Sequence, residues 1–290
     1  MPSVQANEVA SGKLITKLFK SDLVTPRKVH VWLPESYSEQ QQFAVLYMHD
    51  GQMLFDAKTT WNKQEWGIDE TASELIKSNK VRPFIVVGIE NDASKRHSDY
   101  YPQKPFSSLT KKQLNALEKN SERHNGHLFS EQVNSDNYLK FLVNEVKPYV
   151  DSTFSVDSSQ QATFILGSSM GGLISLYAIS EYPEVFGGAA CLSTHWPGVM
   201  PHDNNPIPAT FKAYVQQHVP SPNQHKIYFD YGDQTLDAFY PKHQKDIDMI
   251  MKEKGYDSTN WQTLFFKGQN HSENAWHSRL DKPLMFLLGK

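Results

Sequence analysis

The 290 residues leave room for one large α/β domain or two small ones, and either would bury a substantial core. A net charge of −3, with Lys and Arg spread along the chain rather than drawn into a basic stripe, excludes nucleic acid as an expected partner. The one cysteine, Cys191, rules out an intramolecular disulfide, and no apolar run reaches membrane-spanning length, so no membrane partner is expected.

Residues 1–10 have neither a basic start nor an apolar h-region, which makes the expected localisation cytoplasmic unless the numbering is that of a mature form. Without a linker or internal repeat, a single domain over residues 1–290 is expected. Residues 13–20 and 27–33 alternate apolar and polar side chains, predicting a pair of half-exposed antiparallel strands at a sheet edge. The apolar run at 43–48 predicts a strand covered on both faces, emptying into His49-Asp50-Gly51-Gln52. A helix over 68–79 follows, with Asp69 and Glu70 in the first turn where the dipole favours them, and then a buried strand at 84–89.

After this fourth strand the periodicity breaks. Residues 91–134 are polar and dotted with aromatics (Tyr100, Tyr101, Phe106) and His127, and are read as an excursion over the mouth of the site. A helix over 135–149 leads to a strand at 164–166. Beyond it come a small-residue strand at 186–192 that holds Cys191 as a core residue, a strand at 227–229, and a helix over 243–254 ended by Gly255. A last strand at 261–266, a loop through His271 and a closing helix over 273–288 complete the chain. The β-α alternation implies a mainly parallel central sheet with helices on both faces.

The chemistry centres on Gly167-Ser168-Ser169-Met170-Gly171, between a buried strand and a helix start. G-x-S-x-G in that setting is a nucleophile elbow: a strained turn lifts Ser169 above the sheet, and the Met170 N–H at the helix start can donate to an oxyanion. A serine hydroxyl needs a base and an acid that orients the base, expected later in the chain in the order acid, then His. His271 fits the base, standing past the last strand and before a helix. His277 is six residues on and points elsewhere, so a metal site using both fails and no metal is expected. His49, His195 and His243 read as core, loop or surface residues. Asp237 is favoured as the acid with Asp233 as the alternative, since both follow the strand at 227–229, whereas Asp230 is still within the strand run.

Four ordered motifs then resemble a known family. Met48-His49-Asp50-Gly51-Gln52, Gln64-Glu65-Trp66-Gly67-Ile68-Asp69-Glu70-Thr71, the elbow, and His271-Ser272-Glu273-Asn274-Ala275-Trp276 look like the putative-esterase family of α/β-hydrolases. That family includes esterase D, feruloyl and acetylxylan esterases, enterobactin-type siderophore esterases and mycolyltransferases. The resemblance implies the α/β-hydrolase fold, Ser169 as nucleophile, His271 as base and an oxyanion hole made by the backbone N–H groups of Gln52 and Met170. It also marks a departure, because members often carry the acid where this chain has Thr235.

The function so implied is a cofactor-independent serine esterase working through an acyl-enzyme on O-acyl or feruloyl carbohydrate esters. Trp196 and Trp66 are the expected substrate-stacking residues, with Tyr100 and Tyr101 as further loop aromatics. A siderophore esterase is the first alternative, with Lys95, Arg96 and Lys104 as a hint of the cations it would need. An acyltransferase using the same triad is another, and a non-catalytic binding module the opposing class.

Overall fold

The structure, a computed structural model, describes residues 8–123, 129 and 132–290, which leaves His127 and the first seven residues outside the described part. Among the described residues one 8-stranded sheet runs in the order β1-β2-β4-β3-β5-β6-β7-β8. Its strands are β1 (Lys13–Phe19), β2 (Arg27–Leu33), β3 (Ala44–His49), β4 (Phe84–Ile89), β5 (Thr163–Ser168), β6 (Gly188–Leu192), β7 (Lys226–Tyr231) and β8 (Trp261–Phe265). β1 and β2 are antiparallel to their neighbours and the rest are parallel, the arrangement of an α/β-hydrolase. Alternation along β3 separates the two cores: Val45 and Tyr47 enter one apolar cluster, Leu46 and Met48 the other.

The edge pair is only half as expected. β1 is exposed along much of its length, but β2 is buried almost throughout, because it lies one strand in from the edge between β1 and β4. The described residues of the excursion at 91–134 form more regular structure than their polarity suggests. It carries α2 (Arg96–Tyr100), α3 (Gln103–Ser107) and α4 (Lys111–Arg123), and Tyr100 and Tyr101 are buried in the main core.

The predicted helix over 135–149 is α5 (Ser135–Phe141), a π-helical turn (Leu142–Val146) and α6 (Lys147–Thr153). The predicted closing helix is likewise two pieces, α10 (Glu273–His277) and α11 (Asp281–Leu288). Pro283 lies in the first turn of α11, where a ring that removes an N–H is tolerated, whereas Pro148 follows the π-helical turn within a helical run that is continuous from residue 135 to 153. The remaining helices are α1 (Ile68–Lys77), α7 (Met170–Glu181), α8 (Ile207–His218) and α9 (Pro241–Glu253); α8 had no counterpart in the sequence reading.

Register positions the site. Met48 of β3 lies opposite Leu166 of β5, Ser168 opposite Leu192 of β6, and Leu192 opposite Asp230 of β7, so these strands end level. Their loops therefore emerge at one edge, beside the switch between β3 and β5 where open parallel sheets place ligands.

Candidate active site

Ser169 caps α7 with φ 59 and ψ −120, a conformation that costs a non-glycine residue about 1–3 kcal/mol. The surrounding backbone over-determines it: the Ser169 N–H donates to the Leu192 carbonyl at 2.9 Å, and its own carbonyl accepts from the Gly172, Leu173 and His195 N–H groups. Gly167 and Gly172 are steric necessities, whereas a Cβ on Gly171 would make only ordinary contact, 3.5 Å from His49. A Cβ on Gly167 would lie 2.6 Å from the Gly171 carbonyl oxygen, and one on Gly172 2.9 Å from Thr194 Oγ1.

His271 Nδ1 lies 2.6 Å from Asp237 Oδ1. Asp237 is fully buried, and its other oxygen accepts from Ser193 Oγ at 2.7 Å and the Gly232 N–H at 2.6 Å. Burial works against its charge, but the hydrogen bonds from His271, Ser193 and Gly232 outweigh it and hold the carboxyl below its usual range. A carboxylate can only accept, so His271 carries its proton on Nδ1 and presents the Nε2 lone pair. His271 and Ser169 line the same cavity, although among the described residues no direct hydrogen bond joins them. Such a contact commonly tightens only when substrate binds.

The acid alternatives separate by position. Asp233 accepts from the Gly268 N–H at 2.7 Å and so ties down the loop that carries His271. Thr235, where the family often has its acid, accepts from the His271 N–H at 2.9 Å through Oγ1. Asp230 stays in β7 and pairs with Arg279 at 2.9 Å; the same Arg279 nitrogen donates to Ser193 Oγ at 3.0 Å, and Trp276 Nε1 donates there too. Burial raises the Asp230 carboxyl above its ordinary value despite Arg279.

On the other flank, Asp50 adopts the left-handed region and opens the turn Gly51–Met53 that presents Gln52. Arg96 from α2 clamps Asp50 through Nε at 2.8 Å and one terminal nitrogen at 2.7 Å, and Asn91 Nδ2 adds a bond at 2.6 Å. Burial disfavours the charge on Asp50, but Arg96 and Asn91 prevail and its carboxyl sits below the usual range. Gln52 Oε1 accepts from the Asn91 N–H. A Cβ on Gly51 would lie 2.7 Å from β4 backbone, so only glycine lets the loop pack this close. Among the described residues neither the Gln52 nor the Met170 backbone N–H has a protein acceptor, which is what an oxyanion hole requires.

These parts border a cavity of about 610 Å³. Trp66 lies on it, buried and stacked on Trp276 with centroids 5.4 Å apart. Trp196 does not: it is buried in the core, its indole N–H donating to Gln244 Oε1 at 3.0 Å, because the chain after β6 turns the ring inward against Phe229. Tyr100 and Tyr101 are likewise core residues. Of the excursion, Asn91, Ala93 and Arg96 reach the cavity, and Lys104 pairs with Glu181 instead. His49 is buried against Tyr138 and pushed down to about 3 by burial.

Sequence reasoning missed Trp61, 83% exposed on the cavity wall, and the supporting residues Ser193, Arg279, Asn91 and Tyr240. Only Ser193 gave a signal, as a hydroxyl at a strand end; the others depend on packing. Among the described residues no helix is long and apolar enough to cross a membrane, and no group of three or more His, Cys, Asp or Glu could hold a metal ion.

The model of the family described as "Putative esterase" matches residues 21–282, and the chain belongs to that family of hydrolases. It is 24% identical over 275 residues to an uncharacterized Bacillus subtilis protein, YbbA, covering 91% of this chain and 93% of that one. It is 24% identical over 177 residues to the ferri-bacillibactin esterase BesA of Bacillus subtilis, covering 59% of this chain and 55% of BesA. A solved ferulic acid esterase has the same fold, with a TM-score of 0.66 and 18% identity over 95% of this chain and 98% of that one.

Proposed function

We propose that this member of the esterase family hydrolyses carboxylic esters through an acyl-enzyme on Ser169. The observation that carries the reading is the Asp237–His271 pair at 2.6 Å, opening onto the cavity that Ser169 also lines. Asp237 fixes the His271 tautomer, and His271 Nε2 takes the Ser169 proton as Oγ attacks the ester carbonyl. The Gln52 and Met170 N–H groups hold the oxyanion, each donor of this kind contributing about 3 kcal/mol. His271 then returns the proton to the departing alcohol, and water repeats the sequence.

The test is intact-mass labelling with a fluorophosphonate followed by peptide mapping, together with p-nitrophenyl acetate turnover. One adduct on Ser169, abolished with the turnover in Ser169→Ala, is expected; wild-type turnover by Ser169→Ala would end the proposal.

The acyl group is proposed to be aromatic or carried on a carbohydrate. Supporting this, the cavity offers an exposed indole at Trp61 and the Trp66–Trp276 stack, while Arg96 is already neutralised by Asp50 and Glu273 adds a negative charge. The name of the ferulic acid esterase neighbour points the same way. A siderophore ester is the second reading, favoured by the BesA relative. Rates on a feruloylated sugar against a ferric catecholate ester separate the two. Competition between water and an added alcohol acceptor tests the acyltransferase alternative.

A further inference from the structure

Trp61 and Trp66 stand in one short segment and meet opposite fates. Trp66 is buried against Trp276, whereas Trp61 is 83% exposed on the wall of the cavity that Ser169 and His271 share. The backbone that carries Trp61 is nonetheless fixed on both sides of the indole. Asp56 Oδ1 accepts from the Lys58 N–H at 2.9 Å and the Asp56 carbonyl from the Thr59 N–H at 3.1 Å. Past the indole, Asn62 Oδ1 accepts from the Gln64 N–H at 3.1 Å, and Lys63 Nζ donates back to the Lys58 carbonyl at 2.7 Å. An uncovered indole on a hydrogen-bonded loop keeps a flat apolar face ready for a ligand ring.

What that loop is fastened to decides which part of a substrate it meets. Asn62 Nδ2 donates to Glu273 Oε2 at 2.7 Å, and the Asn274 N–H donates to Gln64 Oε1 at 3.3 Å, so residues 61–64 are built onto the segment that begins at His271. The Gln52 turn is fastened elsewhere, to Asn91 through Gln52 Oε1 and to Arg96 through Asp50. The cavity thus has one wall joined to the base and another joined to the oxyanion donor. A general acid must lie within hydrogen-bond reach, about 2.6–3.2 Å, of the atom it protonates. The departing ester oxygen therefore sits at His271 Nε2, beside the Trp61 wall, while the carbonyl oxygen sits at the Gln52 N–H.

We propose that Trp61 determines specificity for the alcohol half of the ester, as the face on which a ring of the departing alcohol stacks. The inference rests on the acyl-enzyme reading and chooses between the two halves of the substrate. As Ser169 Oγ bonds to the carbonyl carbon, its proton passes to His271 Nε2 and the carbonyl electron pair moves onto oxygen. That pair then returns, the bond to the alcohol oxygen breaks, and the proton on Nε2 goes with the alcohol. The acyl group left on Ser169 no longer includes the part that Trp61 held. The indole therefore acts on acylation, the stage that kcat/KM reports, and discriminates among alcohols rather than among acyl groups.

The experiment compares kcat/KM on benzyl acetate, butyl acetate and butyl cinnamate in the wild-type chain, Trp61→Ala and Trp61→Phe. Benzyl and butyl acetate differ only in the alcohol, and the two butyl esters only in the acyl group. The wild-type chain is expected to prefer benzyl over butyl acetate. Trp61→Ala should lower that preference about fivefold and leave the ratio of cinnamate to acetate among the butyl esters unchanged, and Trp61→Phe, which keeps a flat ring, should restore most of the preference. A fall in the cinnamate ratio alone would put Trp61 on the acyl half. An equal loss on all three esters would make it a support for the loop. Either result, or a benzyl preference that is missing from the wild type or unmoved in Trp61→Ala, overturns the proposal. A wild-type chain that takes no fluorophosphonate adduct at Ser169 overturns the esterase reading itself, which is a separate failure.

Discussion

Asp50 and Asp230 stand at the ends of two parallel strands, and each meets an arginine brought from elsewhere in the chain, but the pairs differ in reach and depth. Arg96 grips both oxygens of Asp50 at the cavity wall, where the two side chains are 29% and 12% exposed. Arg279 reaches Asp230 through one nitrogen, with side chains 2% and 0% exposed, and its Nε and other terminal nitrogen have no hydrogen-bond partner among the described residues. The carboxyls respond in opposite directions, Asp50 held below its ordinary value by Arg96 and Asn91 and Asp230 raised by burial. A bidentate, charge-assisted pair outweighs desolvation, and a single deep contact does not. The oxyanion side is thus held by electrostatics near solvent. The acid side is held by burial, where Arg279 fixes Ser193 and Ser193 fixes Asp237.

The most severe break in that arrangement is Asp237→Asn, which keeps the shape but allows the wrong His271 tautomer. It is expected to lower kcat on a nitrophenyl ester by about 10⁴-fold with near-native unfolding, and a loss under tenfold would remove Asp237 as the acid. Next, Arg279→Met leaves Asp230 buried without its cation and should cost about 3–5 kcal/mol in urea unfolding. Arg96→Met, at a wetter pair, should cost stability distinctly less, yet lower kcat by about 10²-fold as the Gln52 turn loses its clamp. Equal stability losses in the two methionine variants would erase the contrast.

The smallest effect is on acid stability. Asp50 and Asp237 are depressed in the fold, so their contribution is present above about pH 4 and is lost as pH falls through their lowered values. Asp230 is raised, so its contribution is present at low pH and is lost as pH rises through its raised value. Asp50→Asn should therefore flatten the acid limb of a stability-against-pH curve, and Asp230→Asn should leave that limb in place.

What could be read from the chain was local. The elbow was legible because its requirements, apolar β-formers before Gly167 and small residues through Gly172, lie within one short segment, and the clearances at Gly167 and Gly172 admit no Cβ. The order of serine, acid and histidine was expected from the α/β-hydrolase pattern, with Asp237 and His271 chosen as residues of later strand-end loops. Trp196 was misread because a strand-end position does not say which way a ring turns; its partner Gln244 belongs to a later helix. Asp233 and Asp237 stood in the same loop and hold the same neighbour loop, and only distance shows that one meets the His271 ring and the other the Gly268 N–H.

By itself, then, the sequence determined the alternating α/β architecture, the family, and the segments that meet at one edge of the sheet. Which carboxylate reaches His271, and which arginine braces which loop, came from the packing of distant elements. The reason is physical: periodicity and glycine spacing record which face of an element is buried, whereas a hydrogen bond between distant residues depends on the distance and angle at which two elements pack.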